Sequence, residues 1–323
     1  MKIFNFLFPW KHNSKQRRKC AVTSLRQGVS IISKGVSKAT QLNYQTAVCS
    51  FLMFKAKDDV SFSTITQAEI VRYQQWLQQR AISANTTTCY LRSLRALYNK
   101  AVKRRLVKDI KPFEKVQTRN NKVVKVALKP IQLQQLRELH LKDKSFQAFA
   151  RDLFLFSCYA MGMPPIDMAH LKWTQIKHGF IHYQRQKTHR KVMVKLEPCM
   201  QVIIDRWGKP DNKYIFPILP CMKYDSFLRQ YNRVLHALGE EIRLDFPLSS
   251  YVARHTWASL AYENNVALSI ISQALGHSSS KTTLNYIHEI DLKMVAEANR
   301  RVLNKIVHLF IKGGQKSSKR LQN

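Results

Sequence analysis

Apolar residues recur at three- and four-residue spacing over most of this chain, a pattern that predicts a mainly helical protein. Residues 38–56 carry Leu42, Val48, Phe51, Leu52 and Phe54 at mostly helical spacing. Thr64 precedes a second helical stretch, with Gln67 and Glu69 in its first turn and Ile70, Tyr73 and Trp76 on one face. A third helix starts at Asn85-Thr86-Thr87 and keeps Tyr90, Leu91, Leu94, Leu97 and Ala101 in register. The periodicity fades over 112–127, where Pro112, Lys115, Arg119, Lys122 and Lys125 give an extended basic strap. It resumes as helices at 131–141 and 146–161. Gly179–Tyr183 and Lys191–Leu196 then alternate in part and are rich in β-branched and aromatic residues, which predicts a β-hairpin. Helices follow at about 198–208, 222–238, 249–264 and 268–275. A last amphipathic helix over 289–310 carries Leu292, Val295, Ala296, Leu303, Ile306 and Leu309. Its apolar stripe needs a surface to cover, in the same chain or on a second copy.

A length of 323 residues suits two domains better than one. The pattern divides the chain into a basic arm (1–29), a helical domain (30–111), a linker (112–127), a mixed α+β domain (128–310) and a basic tail (311–323). The fold class is mainly α with a small β-hairpin or sheet. No apolar run reaches the roughly 18 residues a membrane span needs. The opening Met1-Lys2-Ile3-Phe4-Asn5-Phe6-Leu7-Phe8-Pro9-Trp10 is too short for a signal peptide, and basic residues follow it instead of a small-residue cleavage site. Six scattered cysteines, none in a C-x-x-C pair, imply neither a disulfide framework nor a zinc site, which fits the cytoplasm.

Charge narrows the partner. The chain holds 54 Lys+Arg against 20 Asp+Glu, a formal net charge of +34. Such an excess points to a polyanion, and nucleic acid is the first candidate. The polar side of the third helix and its end display Arg92, Arg95, Lys100, Lys103, Arg104 and Arg105. They form either a solvated basic face or, as the net charge favours, a face laid on DNA phosphates, together with Lys122 and Lys125 of the strap.

The chemistry concentrates in the C-terminal third. Ala253-Arg254-His255-Thr256, Leu275-Gly276-His277-Ser278 and Thr283-Leu284-Asn285-Tyr286-Ile287-His288 follow one another in order. An arginine to hold a phosphate, an imidazole to hydrogen-bond it and a phenol to attack it suffice to cut DNA without metal or water. By these motifs, Arg-His-Thr, Leu-Gly-His and Tyr-x-His, the chain resembles the tyrosine recombinase (phage integrase) family from about residue 30 to about residue 305.

The resemblance implies a helical core-binding domain followed by an α+β catalytic domain, and a nucleophile, Tyr286, that forms a 3′-phosphotyrosyl link to DNA. That link conserves the bond energy for religation, so no cofactor and no metal is required. Arg254 becomes the phosphate clamp, its planar fork of donors matched to two non-bridging oxygens. His277 hydrogen-bonds the scissile phosphate, and Lys187, in the hairpin, protonates the departing 5′ oxygen. Four copies assemble on double-stranded DNA with inverted-repeat core sites and exchange strands through a Holliday junction. The expected location is the cytoplasm, at the nucleoid.

Two positions depart from the family pattern. Tyr251 stands where a histidine is usual, three residues before Arg254 and so on the same helix face. The family's first arginine, in a Thr-Gly-Leu-Arg-x-x-Glu-Leu context, is replaced by Pro164 in Met161-Gly162-Met163-Pro164-Pro165-Ile166-Asp167, with Asp167 at the acidic position. Arg185 is the candidate substitute. It stands two residues before Lys187, so in a strand the two side chains share a face. A plain phosphate contact is the equal alternative for Arg185.

These features predict a site-specific DNA recombinase acting in inversion or in integration of a mobile element. The short stretch before the helical domain favours the simpler, arm-free kind. The two departures keep a second class open, a catalytically impaired DNA-binding protein of the same fold. A topoisomerase-like strand nicker shares the chemistry without pairing two sites.

Overall fold

A computed structural model describes residues 24–116 and 126–277, which fall into two compact units divided at residues 123 and 124. In the first unit four helices, α1 (Leu25–Ile32), α2 (Lys38–Lys55), α3 (Gln67–Gln79) and α4 (Ala84–Lys103), enclose one core. Each starts at a hydroxyl residue whose side chain accepts a backbone N–H of the first turn: Ser24, Ser37, Thr66 and Ser83. The longest pair, α2 and α4, packs Tyr44, Ala47, Val48, Phe51 and Leu52 against Leu91, Leu94, Leu97 and Ala101. Leu42, expected on the apolar side, is 62% exposed; Tyr44 and Ala47 face inward instead.

This core is larger than the expected 30–111. Helix α1 lies largely within the stretch read as a basic arm, yet it buries Leu25, Val29 and Ile32. At the other end Phe113 and Val116, placed in the linker, close the same core. Both additions are short, and an apolar stripe of about two turns is too brief to show a period.

The second unit is built around α6 (Phe146–Tyr159), whose Leu153, Phe154, Leu155 and Phe156 are all buried. A helix apolar on every side belongs in the middle of its domain. Around it pack α5 (Pro130–Glu138), α8 (Pro198–Trp207), α10 (Tyr224–Glu241) and α11 (Ser250–Glu263). The buried Asp152 on α6 accepts from Arg151, Arg206 and the Trp207 indole at 2.8–3.0 Å and so ties α8 to α6. Short helices α7 (Pro165–Ala169), α9 (Ile218–Cys221) and α12 (Leu268–Ala274) complete the unit.

The sheet is antiparallel in the order β1 (Ile176–Lys177), β2 (Phe180–Gln184), β3 (Lys191–Lys195), with Ile181 opposite Val194 and Tyr183 opposite Val192. It is the expected hairpin plus a two-residue strand. Inward residues Ile181, Tyr183, Val192 and Val194 alternate with outward His182, Gln184, Lys191, Met193 and Lys195. The segment 289–310, read as a last amphipathic helix, lies outside the described residues, as do the arm before Ser24 and the tail.

Candidate active site

Three segments of the second unit meet at one backbone carbonyl, that of Leu275. Helix α12 ends there in a reciprocal pair of bonds: the Gly276 N–H donates to the Gln273 carbonyl at 2.9 Å and the His277 N–H to that of Ser272 at 3.0 Å. Gly276 takes φ +62°, and a Cβ on it would come within 3.1 Å of Arg185 Cγ and 3.2 Å of Val192 Cγ2. The Leu275 side chain is buried with Ala258 and Ile271. The carbonyl of Leu275 and the ring of His277 therefore project from a fixed loop.

Arg254 arrives from α11 and is 3% exposed. Its Nη1 donates to the Gly162 carbonyl at 2.8 Å, and its Nη2 donates to the Leu275 carbonyl and meets His277 Nε2 at 3.0 Å. A guanidinium has no acceptor, so in this contact the imidazole accepts through Nε2. Gly162 has φ +71°, and a Cβ there would stand 2.9 Å from both Cα and Cγ of Arg254. The loop before α7 thus presses directly on the helix carrying the arginine.

The third segment is the tip of the β2–β3 hairpin. Arg185 continues the inward alternation of Ile181 and Tyr183 and is 5% exposed. Its Nε pairs with Asp167 Oδ2 at 2.7 Å, and its Nη1 donates to the Leu275 carbonyl. Asp167, in the first turn of α7, accepts the Gln186 N–H at 2.8 Å on its other oxygen. Burial pushes the Asp167 carboxyl above the usual carboxylate range, against the opposing pull of that N–H and of Arg185. Burial likewise lifts the phenols of Tyr183 and Tyr224, each with Asp167 close enough to add to the effect.

Two buried guanidiniums thus converge on one loop, with the buried Asp167 carboxylate beside Arg185. Paired guanidiniums present forks of donors whose geometry matches the oxygens of a phosphate.

The remaining sequence candidates fall as follows. Tyr251 lies one helical turn before Arg254, 46% exposed, its ring centroid 5.9 Å from that of His255. Lys187 lies in the tight turn beyond β2 and is exposed. The expectation that Lys187 and Arg185 share a strand face is corrected here: β2 ends at Gln184, the Arg185 N–H still pairs with the Arg190 carbonyl, and strand alternation stops before Lys187. On α4, Arg92, Arg95 and Lys103 are exposed along one side. Lys100 lies over the Tyr44 ring at 5.2 Å, and Arg104 donates to the Ile31 carbonyl at 2.9 Å, so both also hold the fold together. Tyr286, Lys122 and Lys125 lie outside the described residues.

Gly162, Thr188 and the Leu275 carbonyl had no place among the sequence candidates. Of these only Gly162 left a signal, as a glycine just past a helix end. A cleft of about 700 Å³ lined by Gln184, Lys191, Met193, Ile270 and Gln273, among others, lies between sheet and α12, and it includes neither arginine nor His277.

Comparison with known proteins follows the same division. Residues 23–121 match the phage integrase SAM-like domain, and residues 127–292 match the phage integrase family. A tyrosine recombinase of Pseudothermotoga lettingae is 23% identical over 277 residues, covering 82% of this chain and 92% of that protein. The Tn1549 transposon integrase in complex with a circular intermediate DNA superposes with a TM-score of 0.66 at 16% identity, over 86% of this chain and 99% of that one. A lambda integrase tetramer bound to a Holliday junction gives 0.62 at 14% identity, over 84% and 80%.

Proposed function

The chain belongs to the phage integrase family, the tyrosine recombinases, and on that premise we propose how its own residues cut and rejoin DNA. As a site-specific recombinase it breaks a DNA strand and reseals it. Tyr286 is the nucleophile: its phenol oxygen bonds to phosphorus, the bond from phosphorus to the 5′ oxygen breaks, and the phenol's proton is balanced by one gained at the 5′ oxygen. Lys187 supplies that proton.

Arg254 and Arg185 together grip the non-bridging oxygens, with His277 as a further hydrogen-bonding group. Their shared approach to the Leu275 carbonyl is the observation that carries this reading. It gives the site two guanidiniums although Pro164 stands at the family's first arginine. The grip tightens as charge builds on phosphorus, so it lowers the barrier as well as binding DNA. Tyr251 adds a hydrogen bond beside Arg254, in the place of the usual histidine.

Arg92, Arg95, Lys100, Lys103 and Arg104 of α4, with Lys122 and Lys125, meet the backbone of double-stranded DNA at inverted-repeat core sites. Such contacts set affinity and register and leave sequence readout to other side chains. Four protomers act in turn on two sites and pass through a Holliday junction, the assembly seen for lambda integrase. Among the described residues no helix is long and apolar enough to cross a membrane, and action at the nucleoid follows from the substrate. The product is an inverted segment or an integrated element.

A nicked suicide duplex cut from the repeats flanking the gene tests the chemistry. Wild-type protein is expected to give a covalent protein–DNA band on a denaturing gel, and Tyr286→Phe none. Specific DNA binding without any band would instead establish a silent DNA-binding protein. Outward-facing primers on a two-site plasmid then separate inversion from integration.

A further inference from the structure

The tip of the β2–β3 hairpin is held from two sides, and Lys187 sits between the holds. On one side Asp167 engages Arg185 Nε through one oxygen (2.7 Å) and the Gln186 N–H through the other (2.8 Å). On the other side the Thr188 hydroxyl donates to the Gly276 carbonyl at 3.2 Å. Within the tip, the His189 N–H returns to the Arg185 carbonyl and the Gln184 side chain to the His189 carbonyl, so the turn is closed on itself. Asp167 is 3% exposed and rooted in α7, far from the hairpin in the chain.

From this we infer that Asp167 is a positioning residue that seats the hairpin, so that one carboxylate sets both the phosphate grip of Arg185 and the reach of Lys187 to the leaving oxygen. This rests on the roles given to Arg185 and Lys187 above. Where the first arginine stands on its own loop, as in the family pattern, the phosphate grip and the proton donor come from separate segments. Here they lie two residues apart on one turn, and a shift of the tip displaces both. The charge pair orients the guanidinium, while the bond to the Gln186 N–H fixes the backbone one residue before Lys187. An ammonium protonates a departing oxygen only when held within hydrogen-bond reach of it.

The test compares two suicide duplexes, one ordinary and one with sulfur replacing the bridging 5′ oxygen at the scissile phosphate. A thiolate leaves without needing a proton, because its conjugate acid is far stronger than an alcohol. Lys187→Ala is expected to lose about 100-fold or more in covalent-complex formation on the ordinary duplex and to regain it on the sulfur duplex. Arg185→Ala is expected to lose rate on both. Asp167→Asn is expected to combine the two defects, with a large loss on the ordinary duplex and partial recovery with sulfur. Asp167→Glu keeps the counter-charge to Arg185 but displaces the tip by a methylene, and is expected to show the same partial recovery in a protein that melts like wild type.

Wild-type rates for both Asp167 variants overturn the inference, and so does a defect that sulfur leaves untouched, since Asp167 would then act through Arg185 alone. Failure of sulfur to rescue Lys187→Ala would overturn the Lys187 assignment and the inference with it, a result distinguishable from failure of the Asp167 variants alone.

Discussion

Arg185 and Arg254, one from a hairpin turn and one from a helix, donate to the same acceptor, the carbonyl oxygen of Leu275. That shared anchor brings two guanidiniums side by side, with the Asp167 carboxylate paired to Arg185. Arg185→Ala and Arg254→Ala are each expected to lower covalent-complex formation by about 100- to 1,000-fold, the scale for a lost transition-state donor. DNA affinity in a mobility-shift assay should fall far less, because many basic residues share it. Arg185→Lys should not restore the rate, since an ammonium cannot serve Asp167 and Leu275 with a planar fork. Wild-type cleavage by Arg185→Ala, with Arg254→Ala inactive, would show Arg185 to be a plain backbone contact.

Gly276 and Gly162 guard the two arginines sterically. Gly276→Ala imposes a left-handed residue, worth about 1–2 kcal/mol, and pushes its Cβ to 3.1 Å from Arg185 Cγ. Gly162→Ala meets Arg254 more closely, at 2.9 Å to backbone and side chain alike. Both variants are expected to melt lower than wild type by calorimetry, Gly162→Ala the more so. Gly276→Ala should in addition cleave poorly at temperatures where it remains folded. Unchanged cleavage there would mean that Arg185 tolerates displacement.

Tyr251 offers a reversion. Tyr251→His puts an imidazole, which titrates near 6.5 when unperturbed, one turn before Arg254. A change near neutral pH is expected in the profile of cleavage rate against pH, measured against wild type. Tyr251→Phe should slow cleavage by no more than about 10- to 100-fold if the phenol contributes a single hydrogen bond. Identical profiles for Tyr251→His and wild type would place residue 251 outside the reaction.

Glu69 supplies a pH test of the helical unit alone. Lys55 approaches it at 2.6 Å and Arg72 at 3.1 Å, and the Lys55 hydrogen bond chiefly holds its carboxyl below the usual range. A carboxylate with a depressed folded value stabilises above its unfolded pKa and loses that contribution as pH falls through the folded one. Glu69→Gln should therefore cost about 0.5–1 kcal/mol at neutral pH. The difference should vanish in denaturant titrations carried to acid pH. A gap independent of pH would assign the effect to packing.

Much of this was legible in the chain. Long apolar stripes gave the helix faces, and the starts read at Thr64 and Asn85 fell within two residues of the actual caps, Thr66 and Ser83. Arg254 could be read from the Arg-His-Thr motif, and His277 because Gly276 before it marks a helix stop. What stayed hidden depended on contacts distant in the chain. Strand β1 has two residues, too few to show a period. Lys100 and Arg104 read as part of a basic face laid on DNA phosphates, because nothing local reveals the Tyr44 ring or the Ile31 carbonyl they meet. Arg185 could be proposed only from its place two residues before Lys187, and its tie to Asp167 spans segments that no pattern links.

Pro164 caps α7 with φ −66°, and Pro165 opens the helix behind it. On the roles proposed above, the second guanidinium arrives from the hairpin, which leaves this position to a residue suited to starting a helix. A search template requiring arginine there would pass over chains built this way. The working definition of such a site is better drawn in space, as two forked cations reaching one loop, than as letters at set places. If Arg185 grips the phosphate as proposed, a catalytic arginine can be supplied from a different loop that approaches the same anchor, with a carboxylate to aim it.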